Sequence, residues 1–404
     1  MKPVKLSLFI LFVFCLALTE ISVVMAQKPS FANIEYARVK GKSLKLDLYL
    51  PKNTPDKLPL IVWIHGGGWK GGDKSSANVT VNLMLPKGYA VAGINYRLSQ
   101  DSIFPAQLND CKAAIRWLRA NAAKYNIDPD RIGVWGSSAG GHLAALLGTT
   151  GDIMTSTSGN LTMNIEGYVG GYFEYSSRVQ AVCDMYGPTD FLKLDGYHLA
   201  PNSSESLLMG GALRTRPDRC WLANPITYIS KDDPPFLIIH GTSDPIVPVN
   251  QSEMLNKALL AAYYKQKKEV VYYPIKDAIH GGPAFLKDAV LKMVASFFDR
   301  NLKNAVIPGN SIAGMPKSVM LHQNYPNPFN PRTVISYYLP VPGQVNLSIF
   351  DTRGKEVARL VNRFERPGNY SINFNPSPGT KSGIYYYRLK AGKDTLTRKM
   401  LLVK

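Results

Sequence analysis

Ile132-Gly133-Val134-Trp135-Gly136-Ser137-Ser138-Ala139-Gly140 decides the fold: an apolar run ends in Gly136–Gly140, and a helix-prone stretch, Ala139 to Leu147, follows. A serine set among glycines at a strand-to-helix turn can be held exposed in a strained conformation. Earlier in the chain, His65-Gly66-Gly67-Gly68-Trp69 closes a longer apolar run, Leu58 to Ile64, which reads as a buried strand. A glycine-rich loop there can offer backbone N–H groups to a developing oxyanion. Taken alone, each motif is also compatible with a plain structural turn. In this order and spacing the pair predicts acyl transfer through a serine nucleophile.

Outward from these motifs the pattern alternates. Residues 31–50 read as two strands, Ile34–Val39 and Leu44–Leu50, with Leu44, Leu46, Leu48 and Leu50 on one buried face. Further strands are expected at 58–64, 89–95, 132–135, 179–185, 236–240 and 269–273. The helix after Pro105 places Leu108, Cys111, Ile115 and Leu118 on one stripe, and helices are also expected at 139–147, 250–264 and 285–301. Strands alternating with helices indicate an α/β domain with a mainly parallel central sheet. Sites in such sheets form at the carboxyl ends of the strands, where each motif lies. Residues 149–178, rich in Gly, Ser, Thr, Asn and Tyr, interrupt the alternation. A surface excursion and a lid or pocket wall fit that stretch equally well.

The chain of 404 residues is long enough for more than one core. Lys2 and Lys5 precede an apolar run from Leu6 to Leu18, and Val24-Met25-Ala26 offers small residues for cleavage. This reads as a signal peptide over 1–26. The competing reading, a membrane anchor, needs about 20 apolar residues, and no other stretch could cross a bilayer. The catalytic domain is then 27–301, followed by a linker over 302–322 rich in Asn, Pro, Gly and Ser. In the last segment, 323–404, short strands are expected at 334–339, 345–350, 356–361, 370–374, 384–389 and 395–403. Turn signals such as Pro342-Gly343 and Arg366-Pro367-Gly368 separate them, predicting a small C-terminal all-β sandwich.

Net charge of +18 raises the question of nucleic acid. Residues 305–404 carry fourteen Lys+Arg against four Asp+Glu, so +10 of it is scattered along the last strands, without a nucleic-acid motif. A solvated basic surface is the simpler reading, with no nucleic-acid partner. Of four cysteines, Cys15 leaves with the signal peptide; Cys111, Cys183 and Cys220 have no metal-ligand spacing and allow at most one disulfide. Cys111 and Cys183 read as small core residues.

Ser138 needs a base, and the base needs an orienting acid. Of six histidines, His65 belongs to the glycine loop, His142 lies one helical turn below the serine, and His198 sits in a polar loop. His240 ends a strand and His322 lies in the linker, whereas His280 follows the last strand of the first domain in Ala278-Ile279-His280-Gly281-Gly282. His280 is the expected base. Asp244, in the loop after the preceding strand, is favoured as the acid; Asp190 could reach the histidine too, and reads otherwise as a turn cap. Asp277 is only three residues from His280, but local spacing in a loop does not establish the required geometry. Backbone N–H groups of Gly67, Gly68 and Ala139 form the expected oxyanion hole, and the cycle requires no metal or cofactor. Trp69, Tyr172 and Phe173 could line an aromatic-accepting pocket, or simply pack. Asn95-Tyr96-Arg97 reads as a structural polar cluster.

Residues 30–300 resemble the secreted carboxylesterases of the α/β-hydrolase superfamily related to hormone-sensitive lipase, especially the bacterial feruloyl-esterase-like branch. The matching stretches are Leu46-Asp47-Leu48-Tyr49-Leu50-Pro51, His65–Lys74, Ile127-Asp128-Pro129-Asp130-Arg131-Ile132, Gly136–Gly141, Tyr186–Asp190, His240–Pro248 and the His280 loop. That resemblance implies Ser138, Asp244 and His280 as the triad and Gly67, Gly68 and Ala139 as the oxyanion hole. The tail resembles the type A C-terminal sorting domain of the type IX secretion system, through Asn324-Tyr325-Pro326-Asn327-Pro328-Phe329-Asn330-Pro331, Ser348-Ile349-Phe350-Asp351, Gly354 and Gly383-Ile384-Tyr385. It implies the outer-membrane secretion machinery as a partner, then release or surface attachment. The expected activity is that of a secreted serine carboxylesterase acting on acyl or aryl esters, acetyl or feruloyl, of plant polysaccharide. A lipid or polyester hydrolase with the same triad, a prolyl-type serine peptidase and a non-catalytic surface adhesin are the alternatives. The peptidase reading lacks an N-terminal propeller.

Overall fold

The structure, a computed structural model, describes residues 27–303 and 318–403, apart from residues 53, 55, 264, 265, 267, 322, 325, 326, 341, 342, 366, 367 and 378. The expected signal peptide and most of the expected linker lie outside the described residues. In chain order the first part holds β1 (Phe31–Val39), β2 (Lys42–Tyr49), β3 (Leu58–Ile64), α1 (Asn78–Met84), β4 (Ala90–Ile94), α2 (Ala106–Ala120), β5 (Ile127–Ser137) and α3 (Ala139–Thr149). It continues with β6 (Thr155–Ser158), β7 (Leu161–Asn164), β8 (Ala181–Met185), α4 (Ser204–Met209), α5 (Pro217–Ala223), β9 (Phe236–Gly241), α6 (Asn250–Tyr263), β10 (Val270–Ile275) and α7 (Asp288–Phe298).

Eight strands form one sheet in the order β1-β2-β4-β3-β5-β8-β9-β10. β1 and β4 pair antiparallel with β2; every other neighbour is parallel. Parallel strands buried on both faces must be apolar nearly throughout, and β8 and β9 are buried at every position. Along β3 the faces divide: Leu60, Val62 and Ile64 join a core with Leu108 and Ile115 of α2, Leu143 of α3 and Leu255 of α6. Ile61 points to the opposite core, made with Val81 of α1 and Val294, Phe297 and Phe298 of α7. The chain steps from β3 to β4 on one side and returns to β5 on the other. This reversal opens a crevice at the carboxyl ends of β3 and β5, where ligand sites of open α/β sheets form. The glycine loop and the serine turn sit at those two ends.

Three short helices, α1, α4 and α5, were not expected, because six or seven residues are too few to show helical periodicity. The last helix starts later than expected, after the break at Lys287, where ψ is 140°. Residues 149–178 form the β6–β7 hairpin and then a strap against α2. Lys112 Nζ, wholly buried, lies 2.7 Å from Glu166 Oε2 and donates to the Thr150 carbonyl, and Arg116 pairs with the other Glu166 oxygen. Burial raises the Glu166 carboxyl, but Lys112 and Arg116 outweigh it and hold the group below its ordinary value. Arg119 then grips the Ser176 and Arg178 carbonyls. The strap is fastened along the helix.

The tail holds β11 (Met320–Leu321), β12 (Thr333–Leu339), β13 (Gly343–Phe350), β14 (Glu356–Glu365), β15 (Gly368–Phe374), β16 (Gly383–Ala391) and β17 (Asp394–Leu402). They form two antiparallel sheets, β11-β12-β15 and β14-β13-β16-β17. Alternate residues of both, among them Ile335, Tyr337, Leu347, Ile349 and Leu389, share one core. Asn324 and Phe329 of the proline-rich entry are buried; the Asn324 N–H donates to the Tyr387 hydroxyl, and the Phe329 N–H to the Leu401 carbonyl. Cys111, Cys183 and Cys220 are buried free thiols, and among the described residues no helix is long and apolar enough to cross a membrane.

Candidate active site

Ser138 has φ 54° and ψ −122°, a conformation that costs a non-glycine residue roughly 1–3 kcal/mol and persists only where its surroundings enforce it. Here they do. The Ser138 N–H donates to the Met185 carbonyl at 2.8 Å, and its own carbonyl accepts from His142 to start α3. The turn closes because the flanking residues lack side chains. A Cβ on Gly136 would stand 2.1 Å from the Gly140 oxygen, and one on Gly140 would stand 2.0 Å from the Ile64 oxygen. Those glycines let α3 leave β5 directly against the end of β3.

His280 arrives from the loop after β10, and its Nε2 lies 2.9 Å from Ser138 Oγ. Its Nδ1 lies 2.7 Å from Asp244 Oδ2, so the Nδ1–H tautomer donates to the carboxylate and leaves Nε2 to accept the serine hydroxyl. The Asp244 side chain is fully buried. Burial alone would raise its carboxyl; hydrogen bonds from His240, His280 and the Val247 N–H overcome that and hold it well below the usual carboxylate range. The Ile246 N–H also donates to Oδ1. Tyr186, itself at φ 46°, sets its ring edge-on to the His280 ring at 4.6 Å, with Phe285 behind it at 4.7 Å. Sequence reading missed His240 and Tyr186 as supports. For His240 the spacing of four to Asp244 was the one signal present.

The glycine loop turns tightly: the Gly67 carbonyl accepts from both the Lys70 and Gly71 N–H groups, and Gly67 and Gly68 have φ of 105° and 59°. Gly66 lies so close to the serine turn that its Cβ would stand 2.9 Å from the Ser137 oxygen. Ala139, buried, is the first residue of α3, where N–H groups have no intrahelical acceptor. His65 is pinned beneath by stacking on Tyr96, whose hydroxyl donates to the His65 carbonyl.

Trp69 does not line a pocket. At φ 55° the backbone turns its ring under the loop, where it is 2% exposed and donates its indole N–H to His142 Nδ1 at 3.2 Å. His142 Nε2 in turn meets the Ala223 carbonyl at 2.8 Å, and burial pushes that imidazole down to about 4. Tyr172 and Phe173 belong to the strap that runs along α2, with Phe173 under the Arg116 guanidinium. Asp190 caps the turn at Leu192 and accepts from Asn224, and Asp277 is exposed with its N–H on Thr242 Oγ1. Asn95 and Arg97 tie loops together, Asn95 through Lys74 and Asp73 and Arg97 through Asp110.

The rim is built instead by residues 196–209, between β8 and β9. Tyr197 donates its hydroxyl to the Ile246 carbonyl, beside the Asp244 turn, and the Ser204 side chain lies against Gly68. The segment thus reaches from the acid loop to the glycine loop. Among the described residues no cluster of three His, Cys, Asp or Glu is placed to hold a metal ion.

Residues 46–259 match the family model BD-FAE, and residues 323–404 match the model of the secretion system C-terminal sorting domain. Esterase LipQ of Mycobacterium tuberculosis is 32% identical over 223 residues, covering 54% of this chain and 50% of that protein. The chain spans about half the length of the curated relatives it matches. Among solved structures, a truncated carbohydrate esterase from gut microbiota is 36% identical, with a TM-score of 0.62, over 69% of this chain and 100% of that one. A bifunctional GH43-CE of Bacteroides eggerthii is 41% identical, with a TM-score of 0.62, over 67% of this chain and 35% of that one.

Proposed function

The chain belongs to the BD-FAE family, and from that premise we propose that it hydrolyses carboxylic esters through an acyl-enzyme on Ser138. The observation that carries this is the unbroken hydrogen-bond chain from Ser138 Oγ through His280 to Asp244, at 2.9 and 2.7 Å. His280 Nε2 takes the hydroxyl proton as Oγ attacks the ester carbonyl. The low-lying Asp244 carboxylate stays charged and stabilises the imidazolium. Backbone N–H groups of Gly67, Gly68 and Ala139 receive the oxyanion, each donor worth about 3 kcal/mol in the transition state. His280 then protonates the leaving alcohol, and water releases the acyl group by the same path. The strain stored at Ser138 keeps Oγ at the crevice throughout.

The esters we propose are acetyl or feruloyl groups on plant polysaccharide. Two solved structures described as a carbohydrate esterase and a GH43-CE support that class over lipid or polyester. The sorting-domain match supports export across the outer membrane by the type IX machinery. Residues 1–26, with Lys2 and Lys5 ahead of the apolar Leu6 to Leu18, are proposed as the signal peptide removed first. Ser138→Ala should abolish p-nitrophenyl acetate hydrolysis while leaving the circular dichroism spectrum and melting transition in place; turnover by that variant would overturn the mechanism. Comparing acetylated xylan, methyl ferulate, tributyrin, a polyester film and a proline-linked amide separates the substrate classes. A wild-type protein that no fluorophosphonate labels would be a surface adhesin instead.

A further inference from the structure

We propose that the rim between Tyr197 and Ser204 is the subsite for the sugar that carries the ester, an inference that rests on the ester-hydrolase reading. Four observations place it there. Tyr197 is 55% exposed although its ring is fixed on both sides: it lies 4.1 Å from the His198 ring, and its hydroxyl donates to the Ile246 carbonyl. Beneath it His198 and Glu205 are both buried and paired at 2.9 Å, and Ser203 Oγ ties the His198 carbonyl to the Ser206 N–H. Seven residues on, Ser204 Oγ stands 2.7 Å from where a Gly68 Cβ would be, with no hydrogen-bond partner among the described residues. Ile246, whose carbonyl holds Tyr197, and Ile279, next to His280, are exposed apolar side chains.

Mechanism fixes which half of the substrate meets this rim. The leaving oxygen must approach His280 Nε2, because it collects its proton there. Ile246 belongs to the turn that holds Asp244 and also anchors Tyr197, so the tyrosine stands on the acid-loop side of His280, the side assigned here to the leaving alcohol. A pyranose presents a face of C–H groups and an edge of hydroxyls. An aromatic ring already immobilised takes such a face at little entropic cost, and an unpaired hydroxyl at the far end takes the edge. A fatty alcohol chain has no use for Ser204, and a wholly apolar rim would have suited it better.

The test compares acetylated xylo-oligosaccharide with ethyl acetate, which shares the acyl group and lacks the sugar. For Tyr197→Ala, the ratio of kcat/KM for the oligosaccharide to that for ethyl acetate should fall roughly tenfold, the upper end of an aromatic contact. Tyr197→Phe, which keeps the ring, should recover most of that ratio, and Ser204→Ala should lower it about fivefold. Fluorophosphonate labelling of each variant reports whether the triad is intact. An unchanged ratio in labelled Tyr197→Ala would overturn the subsite, as would a labelled wild type that cleaves ethyl acetate and ignores the oligosaccharide. A preference for tributyrin that the same variants abolish would assign the rim to lipid and also overturn it. A wild type that is not labelled at all overturns the ester-hydrolase reading beneath it.

Discussion

Two excursions leave the strands of the first domain, and composition would rank them the wrong way round. Residues 149–178 carry Tyr168, Tyr172, Phe173 and four glycines after Glu166 or in the preceding hairpin, the dress of a pocket wall. Residues 186–235 look like connecting chain. Yet Glu166 draws the first excursion onto the buried Lys112 and Arg116 of α2, while the second reaches both Ile246 and Gly68. What an excursion does follows from where its buried polar partners sit. Aromatic content alone does not locate a site.

The largest test of the contrast uses two aspartates, each following a strand. Asp244→Asn should lower kcat about 10⁴-fold with the fold intact, because the amide leaves His280 in the wrong tautomer. Asp190→Asn keeps a side-chain oxygen for the Leu192 N–H and should cost no more than about 1 kcal/mol of stability, with kcat unchanged. Denaturant titration and steady-state kinetics on both variants check it; comparable kinetic losses would mean that the acid is shared.

Next in size is the strap. Glu166→Ala strands Lys112 and Arg116 as buried charges and should cost about 3–5 kcal/mol of unfolding free energy. If residues 149–178 were a lid, the same variant at permissive temperature would change KM; a fastened strap changes the melting temperature alone.

Much of this was legible in the sequence, and the reason is locality. The glycine loop and the Ser138 turn are read within single strand ends, and the order serine, acid, histidine follows from which strand precedes each loop. The tail strands were legible because alternation and turns punctuate them, while the two-residue β11 left no pattern. Trp69 was not legible, since one positive φ decides whether its ring points out or under. The rim was not legible either. Tyr197 and Ser204 acquire their places from Ile246 and Gly68, far off in the chain, and from a buried His198–Glu205 pair that no periodicity announces.

A pH titration separates another tie between the second excursion and the site. Burial depresses His142 from 6.5 to about 4, so the unfolded chain binds its proton first and the fold loses stability as pH falls through that window. The loss should approach about 3 kcal/mol by pH 4. Asp184 and Asp233, both pushed up to about 6 by burial, act with the opposite sign over part of the same range. The readout is therefore a difference: the slope of unfolding free energy against pH between 6.5 and 4 should be less positive in His142→Gln than in wild type. An equal slope would mean that His142 is hydrated rather than sealed between Trp69 and Ala223.

The smallest effect is the most discriminating for the glycine loop. Trp69→Phe keeps an aromatic ring and deletes the indole N–H, leaving His142 Nδ1 without its donor. As a brace, Trp69 joins the loop through His142 to the Ala223 carbonyl, and so to the excursion that carries the rim. The substitution should then cost about 1 kcal/mol of stability. It should also lower kcat by a similar factor for acetyl and feruloyl esters, because the loop's N–H groups, proposed as the oxyanion donors, would serve whatever the acyl group. A pocket residue would behave otherwise: the ring remains, so acetyl esters would be spared while the aromatic acyl group felt the change in shape. Measuring kcat/KM for an acetyl and a feruloyl ester of the same alcohol decides between brace and wall, and a selective loss on the feruloyl ester would return Trp69 to the pocket.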